Sequence, residues 1–188
     1  MRTLAITQNT TVDGAVEMLD DWFAPQGQAG VDESDLVEEI HRQDERADAL
    51  LLGRQTFEEF RGYWPGRTDD PTGISAYLDR VQKYVVSSTL TEADADWNNT
   101  SLLGGYDAER LRQLKTEVDG DLYTSGSATL VRALLADGLV DELHLYVYPV
   151  AVGEGIRLFR EGERTPLTLA GCEALSNGVA HLTYTAAA

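Results

Sequence analysis

Three short apolar runs, each stopped by a glycine or by hydroxyl residues, constrain this chain more than any other feature. Ala49-Leu50-Leu51-Leu52 ends at Gly53. Tyr84-Val85-Val86 runs into Ser87-Ser88-Thr89, and Asp121-Leu122-Tyr123-Thr124 stops at Ser125-Gly126-Ser127. An uninterrupted apolar run marks a strand buried on both faces, and such strands belong to parallel sheets covered by helices. Two of the three runs open directly into helical patterns, Arg54 to Phe60 and Ala128 to Ala136. The second pattern puts Leu130, Val131, Leu134 and Leu135 on one face, and Gly138 fits the left-handed position just past the helix end.

The remaining segments extend the alternation. Leu4-Ala5-Ile6-Thr7 is an opening strand that turns polar at Gln8, and Thr11-Val12-Asp13-Gly14 carries turn chemistry. Asp20 to Asp32 reads as a polar loop with Trp22 and Phe23. Ser34 is placed as an N-cap before Leu36, Val37 and Ile40, with Asp32 to Asp35 favouring the helix start and Glu38-Glu39 on a solvated face. Ala108 to Lys115 is a helix with Leu111 and Leu114 inward. From Glu142 to Tyr148, Leu143, Leu145 and Val147 alternate with His144, Tyr146 and Tyr148. Leu167–Leu175 and Val179–Thr185 flank Ser176-Asn177-Gly178, a strong hairpin signal. This order predicts an α/β fold: a mostly parallel sheet, helices on both faces and an antiparallel C-terminal edge.

In such sheets ligands bind beyond the carboxyl ends of the strands. Helix N-termini there offer unpaired N–H groups and partial positive charge to a phosphate. Glycine permits close backbone approach. The hydroxyls of Thr56, Ser87, Ser88 and Ser127 can donate to phosphate oxygens, and Arg54 adds a bidentate charge. The usual dinucleotide fingerprint, the phosphate-binding P-loop and the hydrolase nucleophile elbow are all missing from the sequence.

Composition narrows the partners. The 188 residues fit one domain, 1–188. The net charge of −17 disfavours nucleic acid and anionic membrane as partners, so a phosphate must be held locally. Only Lys83 and Lys115 are lysines among 15 basic residues. No apolar run approaches the roughly 20 residues of a membrane span, and no signal-peptide pattern opens the chain, so a cytoplasmic location is expected. The single Cys172 forms no internal disulfide and is a small core residue or simply unpaired. His41, His144 and His181 show no ligand spacing, so no metal is expected.

Taken in order, several segments resemble one family. They are Thr11-Val12-Asp13-Gly14, Leu51 to Glu58, Lys83 to Leu90, Ser125-Gly126-Ser127, Gly138 to Leu143, and Tyr148 to Phe159 with its Pro149, Gly153, Gly155 and Leu158-Phe159. Together they are similar to the dihydrofolate-reductase-like family, and most to the reductase domain of the bifunctional riboflavin-biosynthesis deaminase/reductase. The resemblance implies a twisted sheet of about eight strands with NADPH lying across the strand ends. It implies that Gly53, Arg54, Gln55 and Thr56 meet the adenosine-side phosphates, with Arg54 at the 2′-phosphate. Ser87, Ser88 and Thr89 would line the adenosine side. Ser125, Gly126, Ser127, Ala128 and Thr129 would hold the pyrophosphate, and the nicotinamide would lie near Ala5, Val150 and Gly153. The family's chemistry is hydride transfer from NADPH, which makes this chain an expected NADPH-dependent oxidoreductase with a small heterocyclic substrate, pterin- or aminopyrimidine-like. A homodimer is expected, with Leu143–Tyr148 as its contact.

Two departures qualify the resemblance. Ser125-Gly126 stands where dihydrofolate reductases usually carry a Gly-Gly pair, so an unusual peptide geometry there is not implied. The carboxylate that those enzymes place on their first long helix has no clear counterpart, which argues against folate. Asp13 is the one candidate for a catalytic proton donor and a substrate contact, or else a turn former before Gly14. Trp22, Tyr63 and Trp64 are candidates to stack on a flat ring, or else core and lid aromatics. The competing reading is a non-catalytic nucleotide- or flavin-binding module on the same fold. A true aminopyrimidine reductase would need basic residues near Asp13 and Pro149, where only Arg157 and Arg160 lie.

Overall fold

The computed structural model describes residues 2–18, 22–24 and 27–186. Along them run β1 (Leu4–Thr11), α1 (Ser34–Arg46), β2 (Ala47–Gly53), α2 (Arg54–Tyr63), α3 (Ile74–Arg80), β3 (Gln82–Val86), β4 (Thr100–Gly104), α4 (Ala108–Glu117), β5 (Asp121–Ser125), α5 (Ala128–Ala136), β6 (Glu142–Tyr148), β7 (Leu167–Ala174) and β8 (Ala180–Ala186). The strands form one sheet in the order β4-β3-β2-β5-β1-β6-β8-β7. All neighbours are parallel except β8, which is antiparallel to β6 and β7. This is the eight-stranded, mostly parallel α/β sheet with a C-terminal hairpin that the sequence predicts.

The alternation along each strand divides the core between two faces. Leu4, Ile6, Leu51, Leu122 and Leu143 pack against Leu111 and Leu114 of α4 and Leu130, Val131 and Leu134 of α5. Ala5, Leu50, Leu52 and Tyr123 point the other way, onto Phe57 of α2 and Tyr77 and Leu78 of α3. On that second face α1 covers β6, with Leu36 against Tyr146. Fully burying one such apolar side chain contributes about 1.5–3 kcal/mol.

Several local expectations change. β1 continues through the polar Gln8–Thr11, because β6 pairs with it out to Thr11↔Tyr148. Ser34 is the first helical residue, behind Glu33 at the cap position. Glu39 is buried, not on a solvated face. The helix α3 and the strand β4 have no counterpart in the sequence pattern. Part of the expected Asp20–Asp32 loop lies outside the described residues.

Both lysines are interior. Lys83 is fully buried and donates to the carbonyls of Leu78 and Val81 where α3 ends, with the Trp97 ring centre 4.6 Å away. Burial pulls its amine down to about 8. Lys115 donates to the Leu139 carbonyl at 3.0 Å and pairs with Asp141 at 2.5 Å.

The segment expected at a subunit contact is an inner strand of the sheet. β6 lies between β1 and β8, and its His144 and Tyr146 are buried, so Leu143–Tyr148 presents no free edge. The opposite face of the hairpin is different. There Leu145, Leu182 and Cys172 form one cross-strand row, and Tyr184 pairs with Leu169 in the next. Leu169 is 55% exposed, and Cys172 is exposed and unpaired.

Candidate active site

A cleft of about 1480 Å³ opens at the carboxyl ends of β1, β2 and β5 and runs down between α1 and α2. Its upper wall is made where two helices begin. α2 starts at Arg54 behind Gly53, and α5 starts at Ala128 behind Ser127. Neither N-terminus has a side-chain cap or an acid in its first turn. By contrast, the Asp107 carboxylate caps α4 by accepting from the N–H groups of Glu109 and Arg110. An uncapped helix start leaves N–H donors without intrahelical partners.

One small network joins the two helix starts. Gly53 N–H donates to the Ser127 hydroxyl at 2.9 Å, and that hydroxyl donates to Thr56 Oγ1 at 2.7 Å. A Cβ on Gly53 would sit 2.8 Å from Ser127 Oγ, so any larger residue here must push the Ser127 side chain aside. Gly126 and Ser127 both take positive φ, +64° and +54°. For a serine that conformation is uncommon and costs energy. Every peptide bond in the described residues is trans, including the one before Gly126.

The lower cleft is mostly apolar, walled by Ile40, Leu50, Phe60, Trp64 and Leu78, with Asp44 among them. Burial pushes the Asp44 carboxyl up to about 7, against the pull of His41 and Arg80. Asp44, Ala47 and Tyr77 also line a smaller pocket of about 430 Å³ that includes Arg80 and Asn99. Asp44 is on the first long helix, where no acid could be assigned from the sequence. Thr7, Gln43 and Tyr146 form a further polar stretch of the wall.

The expected site residues fall into two groups. Gly53, Arg54, Gln55, Thr56, Ser125, Gly126, Ser127, Ala128 and Thr129 line the cleft together, as do Tyr63 and Trp64. Arg54 is paired with Glu58 at 2.8 Å and half exposed. Ser87, Ser88 and Thr89 do not line it, although Val86 does. The Ser87 hydroxyl is used by its own turn, accepting from the N–H groups of Thr89 and Leu90. Val150, Gly153 and the fully buried Ala5 are also off the cleft wall. Trp22 packs edge-on to Tyr148 and donates to the Glu17 carbonyl, leaving Phe23 to face the cleft.

Asp13 is a clamp on the loop after β6. Its carboxylate accepts from the Thr11 hydroxyl at 2.6 Å and from the N–H groups of Val152 and Gly153, with Arg157 at 3.4 Å. The Thr11 hydroxyl first, then Gly153 N–H, holds it down to about 2. A carboxyl that stays ionised at neutral pH has no proton to give.

The sheet order, with its central parallel strands and antiparallel hairpin, is that of the dihydrofolate-reductase-like α/β class. The chain belongs to the RibD C-terminal domain family, whose profile matches residues 2–181. It is 28% identical to the uncharacterized protein YyaP of Bacillus subtilis (strain 168) over 189 residues, covering 97% of this chain and 94% of that protein. The uncharacterized YwjB of the same organism is 29% identical over 168 residues, covering 89% and 84%. Solved structures share the fold. A Shewanella sp. PV-4 protein named for riboflavin biosynthesis superposes with TM-score 0.73 at 21% identity, covering 99% of both chains. A pyrimidine reductase-like protein from Corynebacterium diphtheriae gives 0.67 at 15% identity, covering 100% and 92%. Acinetobacter baumannii RibD gives 0.64 at 15% identity, and this chain spans 58% of that one. Among the described residues no helix is long and apolar enough to cross a membrane.

Proposed function

We propose that the protein is an NADPH-dependent reductase that passes a hydride to a small heterocyclic substrate, pterin- or aminopyrimidine-like, in the cytoplasm. The observation that carries this reading is the meeting of two uncapped helix N-termini, tied by Gly53, Ser127 and Thr56, in a molecule of net charge −17. The starts of α2 and α5 have no first-turn acid, as is also true of the short α3, whereas α1 and α4 carry Asp35 and Glu109 there. A diphosphate fits that arrangement, because backbone N–H groups and helix dipoles can hold it. Gly53 and Gly126 keep Cβ atoms out of the cradle.

Bound there, NADPH supplies the hydride. Arg54 would hold an adenosine-side phosphate in exchange for its present partner, Glu58. The apolar walls from Ile40 to Trp64 exclude water from the reacting ring. Asp44 holds a proton near neutrality at the lower end of the cleft and is the group able to release it to the reduced product. Asp13 keeps the loop after β6 in place and takes no part in proton transfer.

NADPH is expected to raise the melting temperature more than NADH, and no shift with either removes the reading. Arg54→Ala is expected to narrow the preference for NADPH, and an unchanged ratio removes Arg54 from phosphate recognition. Yellow purified protein with no NADPH shift would favour a flavin-binding module. A homodimer is part of the same proposal, formed through the apolar hairpin face that carries Leu145, Leu169 and Leu182.

A further inference from the structure

A buried chain of polar groups runs from the cleft wall to the far end of β6. Tyr146, only 2% exposed, lines the cleft and accepts from Gln43 Nε2 at 2.7 Å. The same Gln43 nitrogen donates to Glu39 Oε1 at 3.1 Å, and Gln43 Oε1 accepts from the Thr7 hydroxyl at 2.8 Å. The amide cannot be turned over, because its oxygen would then face the Glu39 carboxyl. The Tyr146 oxygen therefore receives a proton from Gln43, and its own proton has no acceptor among the described residues. The cleft it lines is where an acceptor can sit.

Glu39 also meets Arg42 at 2.7 Å, and beyond it stand two imidazoles. His144 and His181 have ring centres 5.3 Å apart and nearest nitrogens 3.1 Å apart. The difference is about one ring width, so the rings meet edge to edge with His144 Nδ1 and His181 Nε2 nearly head-on. Glu39, His144 and His181 together have the composition of a metal site. A zinc ion at its usual distance of about 2.0–2.1 Å from both nitrogens, however, would have to sit off the line joining them, away from the ring-plane directions in which these two nitrogens face each other. A proton fits instead. His144 Nε2 lies 3.2 Å from Glu142 Oε2, a pure acceptor when ionised, so we assign the ring proton to Nε2 and leave Nδ1 as an acceptor. Thr183 Oγ1, 3.4 Å from that nitrogen, is placed as a second donor. His181 Nε2 then carries the shared proton. His181 Nδ1 is left bare, 4.0 Å from Glu39 Oε1.

We propose that Tyr146 presents its hydroxyl proton to an acceptor atom of the cleft ligand, and that His181 is the positioning residue that sets this orientation through Glu39 and Gln43. A proton added at His181 Nδ1 would face Glu39 Oε1, compete with Gln43 for it, and release the amide that orients Tyr146. The groups facing His181 are Glu39 and Arg42 from α1, His144 and Tyr146 from β6, and Glu173 from β7. Burial holds the His181 imidazole below its ordinary range, with Glu39 pulling upward, so the bare form is the one present at neutral pH. The inference rests on the reductase reading only for which molecule meets the hydroxyl.

The wiring is tested on the ligand-free protein by NMR. Lowering the pH should move the His181 ring signals, the Gln43 side-chain amide and the Tyr146 carbon bearing the hydroxyl at one shared midpoint. His181→Phe, which keeps a ring against Tyr146, should abolish the movement of the other two. His181→Gln gives the same reading if that variant fails to fold. Gln43 and Tyr146 signals that stay still while His181 titrates overturn the proposal. So does their continued titration without His181, or a His181 that takes up no proton before acid unfolding. NADPH binding is measured separately, so loss of either proposal leaves the other standing.

Discussion

The backbone N–H of Gly53 donates to the Ser127 hydroxyl at 2.9 Å, joining the start of α2 to the start of α5 across the mouth of the cleft. Gly53 has an ordinary φ of −79°, so alanine is tolerated by the backbone and opposed only by Ser127. Gly53→Ala is expected to destabilise by about 1–3 kcal/mol, as overpacking does. At this chain length each kcal/mol lowers the melting temperature by about 2–4 °C. Adding Ser127→Ala should recover part of that loss. A double variant no more stable than Gly53→Ala would show that Ser127 is not the obstacle.

Asp13→Asn tests the clamp on the loop after β6. The Asp13 carboxyl is held at about 2, below the ordinary unfolded value of about 3.9. Its stabilisation is present above the unfolded value and is lost as pH falls through the folded one. The variant should melt below the parent at pH 7, and the gap should close between about pH 4 and pH 2. Its NADPH-induced shift should persist. A pH-independent gap would assign the effect to packing instead.

Asp44 has the opposite sign. Its carboxyl is raised to about 7, so its contribution is intact below about pH 4 and is lost as pH rises through 7. Asp44→Asn should therefore be the more stable protein at pH 8, by a few degrees in thermal melts. Near pH 4 the two should melt together. A variant less stable at pH 8 would mean that the ionised carboxylate has a partner in the fold.

The hairpin face predicts a dimer that one charge can break. Leu169 is 55% exposed, so Leu169→Glu should leave the protomer folded. Sedimentation should then report a shift from dimer to monomer. A parent protein that already sediments as a monomer removes the dimer proposal.

The segments readable in the sequence are those whose local pattern and tertiary role agree. The bounds of α5 match its pattern and those of β5 differ by one residue, because Leu122, Leu130, Val131 and Leu134 have nowhere to go but the core. Gly138, at φ +62°, ends α5 as its position suggests. β4 carries little sequence signal because it is an edge strand whose Ser101 and Gly104 remain exposed, which dilutes its apolar pattern. α3 is short and begins behind the left-handed Gly73, with Asp70 and Thr72 supplying its first N–H partners. In the candidate site, Gly53 and Ser125–Thr129 were legible because strand ends mark themselves with small residues. Asp44 is not, because an acid beside Glu45 and Arg46 looks solvated until Tyr77 and Arg80 of α3 close over it. Asp13 misled for the converse reason: a turn aspartate after a central strand faces the right end of the sheet, yet its oxygens go to Thr11, Val152 and Gly153.

The interior placement of Lys83 and Lys115 has a practical consequence. With those two amines enclosed and every other basic side chain an arginine or histidine, the folded surface offers acylating and amine-coupling reagents no lysine to react with. Slow modification of either one would then count openings of the fold, a built-in clock for breathing motions around α3 and α4.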